Sequence, residues 1–289
     1  MSALSVVEQT MRISVPYLFA AAGGVLAERS GVVALKLEGL LLSGAFCAVL
    51  GTSLSGSPWV GILAGVFGGL LFGGLYALAA LRFRADQIVV GIAVNLLALG
   101  ATRLFLKLVV KSSSNSGRIP GFGDTGGDLA TFQSPLFWMG LAAIPAVAFL
   151  IDRTAFGLRV RAVGEHPQAA ETVGVRVARV RLVAVAISSA LVGLGGAYLS
   201  LDQHQFSDNM SAGRGFIALA ALITGSWRPL RTGVACVVFA AAETLQIQLQ
   251  SWQAIPSQLL SAFPYALTIA VLVVWVGRSR APAALGKVD

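Results

Sequence analysis

No charged residue falls between Pro58 and Leu81. A run this long and this apolar has one natural solvent, because about 20 helical residues cross a hydrocarbon core about 30 Å thick. Inside that core each backbone N–H and C=O must be satisfied within the segment, so the run is predicted to be an α-helix. Similar runs cover residues 10–27, 32–51, 86–110, 134–151, 182–201, 232–249 and 260–276, with a shorter, glycine-punctuated one at 213–229. A membrane β-barrel would show short segments of alternating hydrophobicity instead. The expected fold is an all-α integral membrane protein, a polytopic bundle of about 8–10 transmembrane helices.

Composition agrees. Charged residues make up 12% of the chain, against roughly 25% in soluble domains. Hydrophobic residues make up 56%, and mean hydropathy is +0.80. In a soluble protein the net charge of +8 would suggest nucleic acid. Here the excess of Lys and Arg in cytoplasmic loops explains it, and no nucleic-acid partner is expected. The two cysteines, Cys47 and Cys236, sit in apolar runs and read as packing residues. His166 and His204 offer no metal-ligand spacing, so no metal is expected. Arg12 interrupts the N-terminus where a signal peptide would need its apolar region.

Three polar residues stand inside apolar runs. Lys36 lies close enough to a run's start to snorkel outward along its own stem. Glu38 is shorter and deeper, which suits a polar path or a buried structural network. Asn95 is mid-span, where an amide must bond to a neighbouring helix, water or solute. The glycines at 61, 65, 69 and 73 repeat every four residues, a spacing that lets helices approach closely.

Residues 152–181 hold the densest charge, with Arg153, Arg159, Arg161, Arg176, Arg179 and Arg181 against Asp152, Glu165 and Glu171. Within them Pro167 suits a first helical position and Gly174 the position after a helix end. Ala169, Ala170 and Val173 would share one small apolar face. The positive-inside rule places this stretch and the tail of Arg278, Arg280 and Lys287 in the cytoplasm. Threading outward gives about nine crossings with the N-terminus outside.

Residues 31–35 (Gly-Val-Val-Ala-Leu) match residues 215–219 (Gly-Phe-Ile-Ala-Leu). Each copy precedes a tryptophan, Trp59 or Trp227, and the two run in opposite directions in this threading. That is the pattern of an inverted repeat, whose substrate path lies between the halves. The chain is then one permease-like domain, 1–289. It has a first repeat at about 10–110, a linker span at 134–151, a cytoplasmic loop at 152–181 and a second repeat at about 182–277.

Four stretches in this order resemble the permease subunits of bacterial ABC importers, in the simple-sugar and nucleoside branch related to ribose-type and branched-chain amino-acid permeases. They are Glu28-Arg29-Ser30-Gly31-Val32-Val33 with Glu38-Gly39-Leu40 and Gly44-Ala45-Phe46; Asp86-Gln87-Ile88-Val89 with Asn95-Leu96-Leu97-Ala98; Leu158 to Glu165 through Gly174-Val175; and Gly213 to Ala220 with Trp227. Gln168-Ala169-Ala170 followed by Gly174 is similar to the Glu-Ala-Ala-x-x-x-Gly pattern by which such permeases are gripped. Gln168 replaces the usual acid, His166 stands where the branch commonly has Asn, and Ala34-Leu35-Lys36 replaces an Asn-Ile-Gly-like triplet.

The resemblance implies an ATPase-coupling loop of Arg161, Gly164, Glu165, His166, Pro167, Gln168, Ala169, Ala170 and Gly174. Gly164 and the Ala169/Ala170 face are expected to fit a groove on the ATPase. It implies a translocation path near Glu38 and Asn95. It also implies a separate ATPase subunit that binds the ATP, a second and non-identical permease chain, a periplasmic or lipoprotein solute-binding protein, and residence among the lipids of a bacterial inner membrane. The expected cargo is a nucleoside, with a simple sugar such as ribose or a flavin as alternatives. The chain has no Gly-x-x-x-x-Gly-Lys-Ser/Thr phosphate loop, no His-Glu-x-x-His and no Gly-x-Ser-x-Gly, so neither ATP hydrolysis nor other catalysis is expected of it. An ion-coupled secondary carrier, with Glu38 as its coupling carboxylate, is the competing class.

Overall fold

A computed structural model describes residues 3–111, 114–122, 130–250, 266, 269, 270, 273 and 280–287. The described helices are α1 (Ala3–Arg29), α2 (Leu37–Ser55), α3 (Pro58–Ala77), α4 (Gln87–Phe105), α5 (Ala130–Gln133), α6 (Pro135–Arg153), α7 (Ala155–Glu165), α8 (Pro167–Thr172), α9 (Val177–Asp202), α10 (Arg214–Thr224) and α11 (Pro229–Gln250). Helices α3 and α4 each end in a π-helical turn, at Leu78–Arg82 and Leu106–Val110. Seven helices, α1, α2, α3, α4, α6, α9 and α11, are long and apolar enough to cross a membrane. The expected crossing at 260–276 lies outside the described residues apart from a few positions. The short run at 213–229 gives α10, whose 11 residues rise about 16 Å, half the hydrocarbon thickness.

Helix α1 is the centre of the bundle: 78% of its most apolar window is buried, against 22% for α4. The exposed apolar faces of the outer helices, with Leu63, Phe67, Leu96 and Leu97 among them, suit a hydrocarbon surround. Glycine sets the spacing of α2, α3 and α9. A Cβ at Gly65 would stand 2.8 Å from the Ala197 Cβ and 3.1 Å from the Gly44 carbonyl oxygen. A Cβ at Gly44 would meet the Gly193 carbonyl oxygen at 2.7 Å. Three backbones therefore touch where larger side chains would hold them apart, as the four-residue spacing predicts.

α1 and α9 are antiparallel. Arg12 near the start of α1 pairs with Asp202 at the end of α9 at 2.7 Å, and Arg181 near the start of α9 reaches the Ser30 carbonyl just past α1. Each long helix is followed by a break and then a helix that starts inside the protein: α1, residues 30–36, α2; and α9, residues 203–213, α10. The five-residue match does not mark equivalent elements in these two halves. Residues 31–35 are turn and extended chain, whereas residues 215–219 lie inside α10.

Candidate functional site

The first break runs through residues 30–36 with few local backbone partners. Orphaned backbone groups are costly away from water, about 1–3 kcal/mol each. Four side chains from three helices, α1, α3 and α4, satisfy them. Glu28 accepts the Ala34 N–H at 3.1 Å, Gln87 accepts the Val33 N–H at 2.8 Å, and the Tyr76 hydroxyl donates to the Val33 carbonyl at 3.0 Å. Asn95 clamps the end of the break: its Nδ2 donates to the Leu35 carbonyl and its Oδ1 accepts the Gly39 N–H, both at 2.8 Å. Among the described residues the buried Nε2 of Gln87 has no hydrogen-bond acceptor.

The other oxygen of Glu28 accepts the Trp227 indole N–H at 2.5 Å. Arg29 donates to the Trp227 carbonyl at 2.9 Å. Ser226 and Trp227 both sit at left-handed φ, 53° and 55°, a conformation that costs a bulky residue and needs such support. The segment between α10 and α11 is thus tied to the end of α1.

Lys36 does not snorkel. Its side chain is fully buried, with Nζ 4.0 Å from the centre of the Tyr76 ring and 3.4 Å from the Val33 carbonyl oxygen. Snorkelling assumed a helix running through residues 32–36 to the interface. Instead the break folds inward and carries the ammonium under α3, where the aromatic face receives it.

The second break is held by residues 114–119, by α4 and by α2. Ser116 Oγ accepts the Phe206 N–H at 2.8 Å, and Arg103 pairs with Asp208 at 2.8 Å. At the break's end Glu38 accepts the Gly213 N–H with Oε1 at 2.8 Å and the Gly215 N–H with Oε2 at 2.7 Å. A carboxylate in this position satisfies two orphan donors and faces the positive end of the α10 dipole. Arg214 is anchored on the other side by the Met210 carbonyl at 3.0 Å and by Glu243 at 2.9 Å, while Tyr17 donates to the second oxygen of Glu243.

Glu38 and Asn95 are therefore brought to one junction, through Gly39 and Leu37, where the starts of α2 and α10 meet. Both are half-buried. Sequence reading missed Glu28, Gln87, Arg214 and Glu243. An ionisable residue inside an apolar helix was the available signal for Glu243, and Glu28 and Arg214 stood within quoted motifs.

α7 carries Arg161, Gly164 and Glu165, and α8 carries Pro167, Gln168, Ala169 and Ala170, with His166 between them. Pro167 occupies the first turn of α8, and Gly174 follows it at φ 83°, as expected. The expected docking face is corrected in part. Gly164 is buried, and a Cβ there would run into the Arg29 carbonyl. Ala170 is 4% exposed and packs on the core, whereas Ala169 is exposed and Val173 is 78% exposed. The loop packs back on α1 and α9, so Gly164 and Ala170 face the bundle. The outward surface comprises Gln168, Ala169, Glu171, Thr172 and Val173.

Residues 6–272 match the family described as the branched-chain amino acid transport system permease component. The chain belongs to this family. It is 40% identical to the guanosine ABC transporter permease protein NupQ of Bacillus subtilis, over 97% of this chain and 95% of that one. It is 35% identical to the nucleoside ABC transporter permease protein NupC of Lactococcus lactis, again over 97% and 95%. It is 31% identical to the putative glucose ABC transporter permease protein TsgC13 of Haloferax volcanii, over 93% and 91%. The chain is an ABC importer permease subunit, a multi-pass inner-membrane protein that works with an ATPase and a solute-binding protein.

Proposed function

We propose that this permease passes nucleosides. The observation that carries the reading is similarity across nearly the whole chain to a guanosine and a nucleoside permease, at 40% and 35% identity. A nucleoside offers hydroxyls and ring nitrogens without net charge. A few hydrogen-bonding groups on an otherwise apolar wall suit it. Glu38 and Asn95 supply such groups at the junction of α2 and α10, and the proposed path runs past them. Each already bonds to backbone, so Glu38 has only spare acceptor positions for a passing solute, and Asn95 one Nδ2 hydrogen and one acceptor position. Weak contact of this kind allows release.

The ATP is bound by the partner ATPase, which grips the outward face of α8 around Gln168 and Ala169. The second permease chain is non-identical. ATP closes the ATPase pair, and the difference in affinity between closed and open states moves the two permeases. Two amides occupy Glu38, which disfavours its use as an ion-coupling carboxylate. Glucose is the second cargo reading, supported by the 31% identity to TsgC13.

The experiment is reconstitution with the cognate ATPase, partner permease and binding protein, followed by ATP-dependent uptake of labelled guanosine. Competition by unlabelled nucleosides but not by ribose or glucose is expected. Uptake of glucose with no competition by nucleosides would reverse the assignment.

A further inference from the structure

Residues 280–287 lie across the place where α7 meets the end of α1. The Ala284 N–H donates to the Gly164 carbonyl at 2.9 Å, and the Gly286 N–H donates to the Gly31 carbonyl at 3.1 Å. The Ala283 N–H reaches the Glu165 carboxylate at 3.3 Å. The segment is a compact turn, closed by Leu285 N–H to Pro282 and by Lys287 N–H to Ala284, both at 3.1 Å. Gly286 adopts φ 76° within it. Ala284 is only 2% exposed, and a Cβ on Gly31 would stand 3.1 Å from its carbonyl oxygen. One turn thus grips α7 with one amide and the first break with another.

The direct contact between α7 and α1 at this junction is different in kind. Gly164 abuts the Arg29 carbonyl sterically, and among the described residues no backbone hydrogen bond joins α7 to residues 28–36. A steric contact transmits a push. It transmits no pull, because the surfaces part at little cost once dispersion contact is lost. A transport cycle displaces the cytoplasmic helices in both directions. Two backbone hydrogen bonds in series, short and without the slack of a long side chain, supply the return.

We infer that residues 280–287 form a positioning strap of the transport cycle. The strap makes the last turn of α7 and the start of the break move together. Displacement then passes along residues 31–36 to the start of α2, and through Glu38 to Gly213 and Gly215 at the start of α10. The strap touches neither solute nor ATPase in this role. It acts through the break.

The test uses the assembled complex with Ala284→Arg, which forces a long charged side chain into the buried junction, and with Leu285→Ala, which loosens the turn without inserting anything. Three quantities are read: ATPase co-purification, uptake per ATP hydrolysed, and the ATP-dependent change in thiol labelling of Leu35→Cys in a Cys47→Ala background. Co-purification is expected at the wild-type level. Uptake per ATP is expected to fall at least about fivefold in Ala284→Arg, the low end of a typical coupling between sites, with a smaller fall in Leu285→Ala. The labelling change at position 35 should shrink in parallel. Unchanged uptake per ATP and unchanged labelling in both variants would overturn the strap. So would a proportional loss of membrane protein, ATPase binding and uptake, which marks a merely structural role. If Ala284→Arg does not reach the membrane, Leu285→Ala decides. If wild type takes up no nucleoside, the cargo assignment fails, and the labelling readout still judges the strap.

Discussion

Glu38 in the first turn of α2 accepts the backbone N–H of Gly215 in the first turn of α10, at 2.7 Å. Its other oxygen takes Gly213 at 2.8 Å, so one carboxylate caps a helix from the opposite half of the chain. Glu38→Gln keeps one acceptor and turns an amide donor toward the second N–H. Stability is expected to fall by about 1–3 kcal/mol, the cost of an orphaned buried donor, and Glu38→Ala should cost more. Melting of the purified complex checks this. A full-strength melt with altered uptake kinetics would instead mark Glu38 as chiefly a contact for the passing solute.

Asn95 bridges Leu35 and Gly39 with both ends of its amide. An interhelical hydrogen bond in membrane averages only about 0.6 kcal/mol. The partners here are backbone groups in a break, with no alternative in a regular helix. Asn95→Ala is expected to exceed that average, and Asn95→Asp, which keeps the acceptor for Gly39 and loses the donor, should fall between. A melting loss equal for Asp and Ala would contradict the two-ended clamp.

Glu28 and Lys36 are both buried against the first break, Glu28 accepting the Ala34 N–H and Lys36 donating to the Val33 carbonyl. Removing one charge from a buried set leaves the other uncompensated. Lys36→Met and Glu28→Gln should each destabilise, and the double variant should lose less than their sum by about 0.5–3 kcal/mol. Strict additivity in a double-mutant cycle would show the two charges to be independent.

Ala169 and Ala170 are neighbours on α8 with opposite exposure. Ala169→Arg should leave the amount of membrane protein unchanged and reduce ATPase pull-down, because it adds bulk only on the outward face. Ala170→Arg should lower the amount of folded protein, because that methyl is 4% exposed against the core. Quantitative pull-down normalised to permease level separates the two. The reverse pattern would put the docking face elsewhere.

Topology has its own check. Cysteines at Arg161 and Arg280 should label from the cytoplasm, and one at Ser207 from outside. The expected external probe at Ser113 lies outside the described residues. Labelling of positions 161 and 207 from the same side would undo the threading.

Periodicity and composition made the long helices, the short helix at Pro167 and the glycine spacing of α3 legible, because each depends on neighbours in sequence. The first break was not legible. Residues 32–36 read as the start of an apolar helix, and what holds them open is Gln87, Tyr76 and Asn95, which lie far along the chain. For the same reason Lys36 was assigned an outward course, although its polar surroundings come from α1 and α3. Glu38 and Asn95 stood out because a polar side chain in hydrocarbon needs a partner. Which partner was a tertiary fact. The inward turn of Gly164 likewise depended on the end of α1 and on residues 280–287, and that of Ala170 on the packing of α8 against α7 and α9.

The backbone contacts of α2, α3 and α9 divide the molecule into stator and rotor. Where two helices touch through glycine there is no layer of interchangeable side chains to shear. A slide of one residue would bring an α3 side chain against Ser189 or Cys47, which leave no room for a Cβ at Gly73 or Gly68. These three helices can turn only as one block. Movement that opens one side and closes the other is left to the elements around that block, and the Glu38 carboxylate stands on its rim. The short helix α10 is held to that rim by two amide hydrogens, those of Gly213 and Gly215.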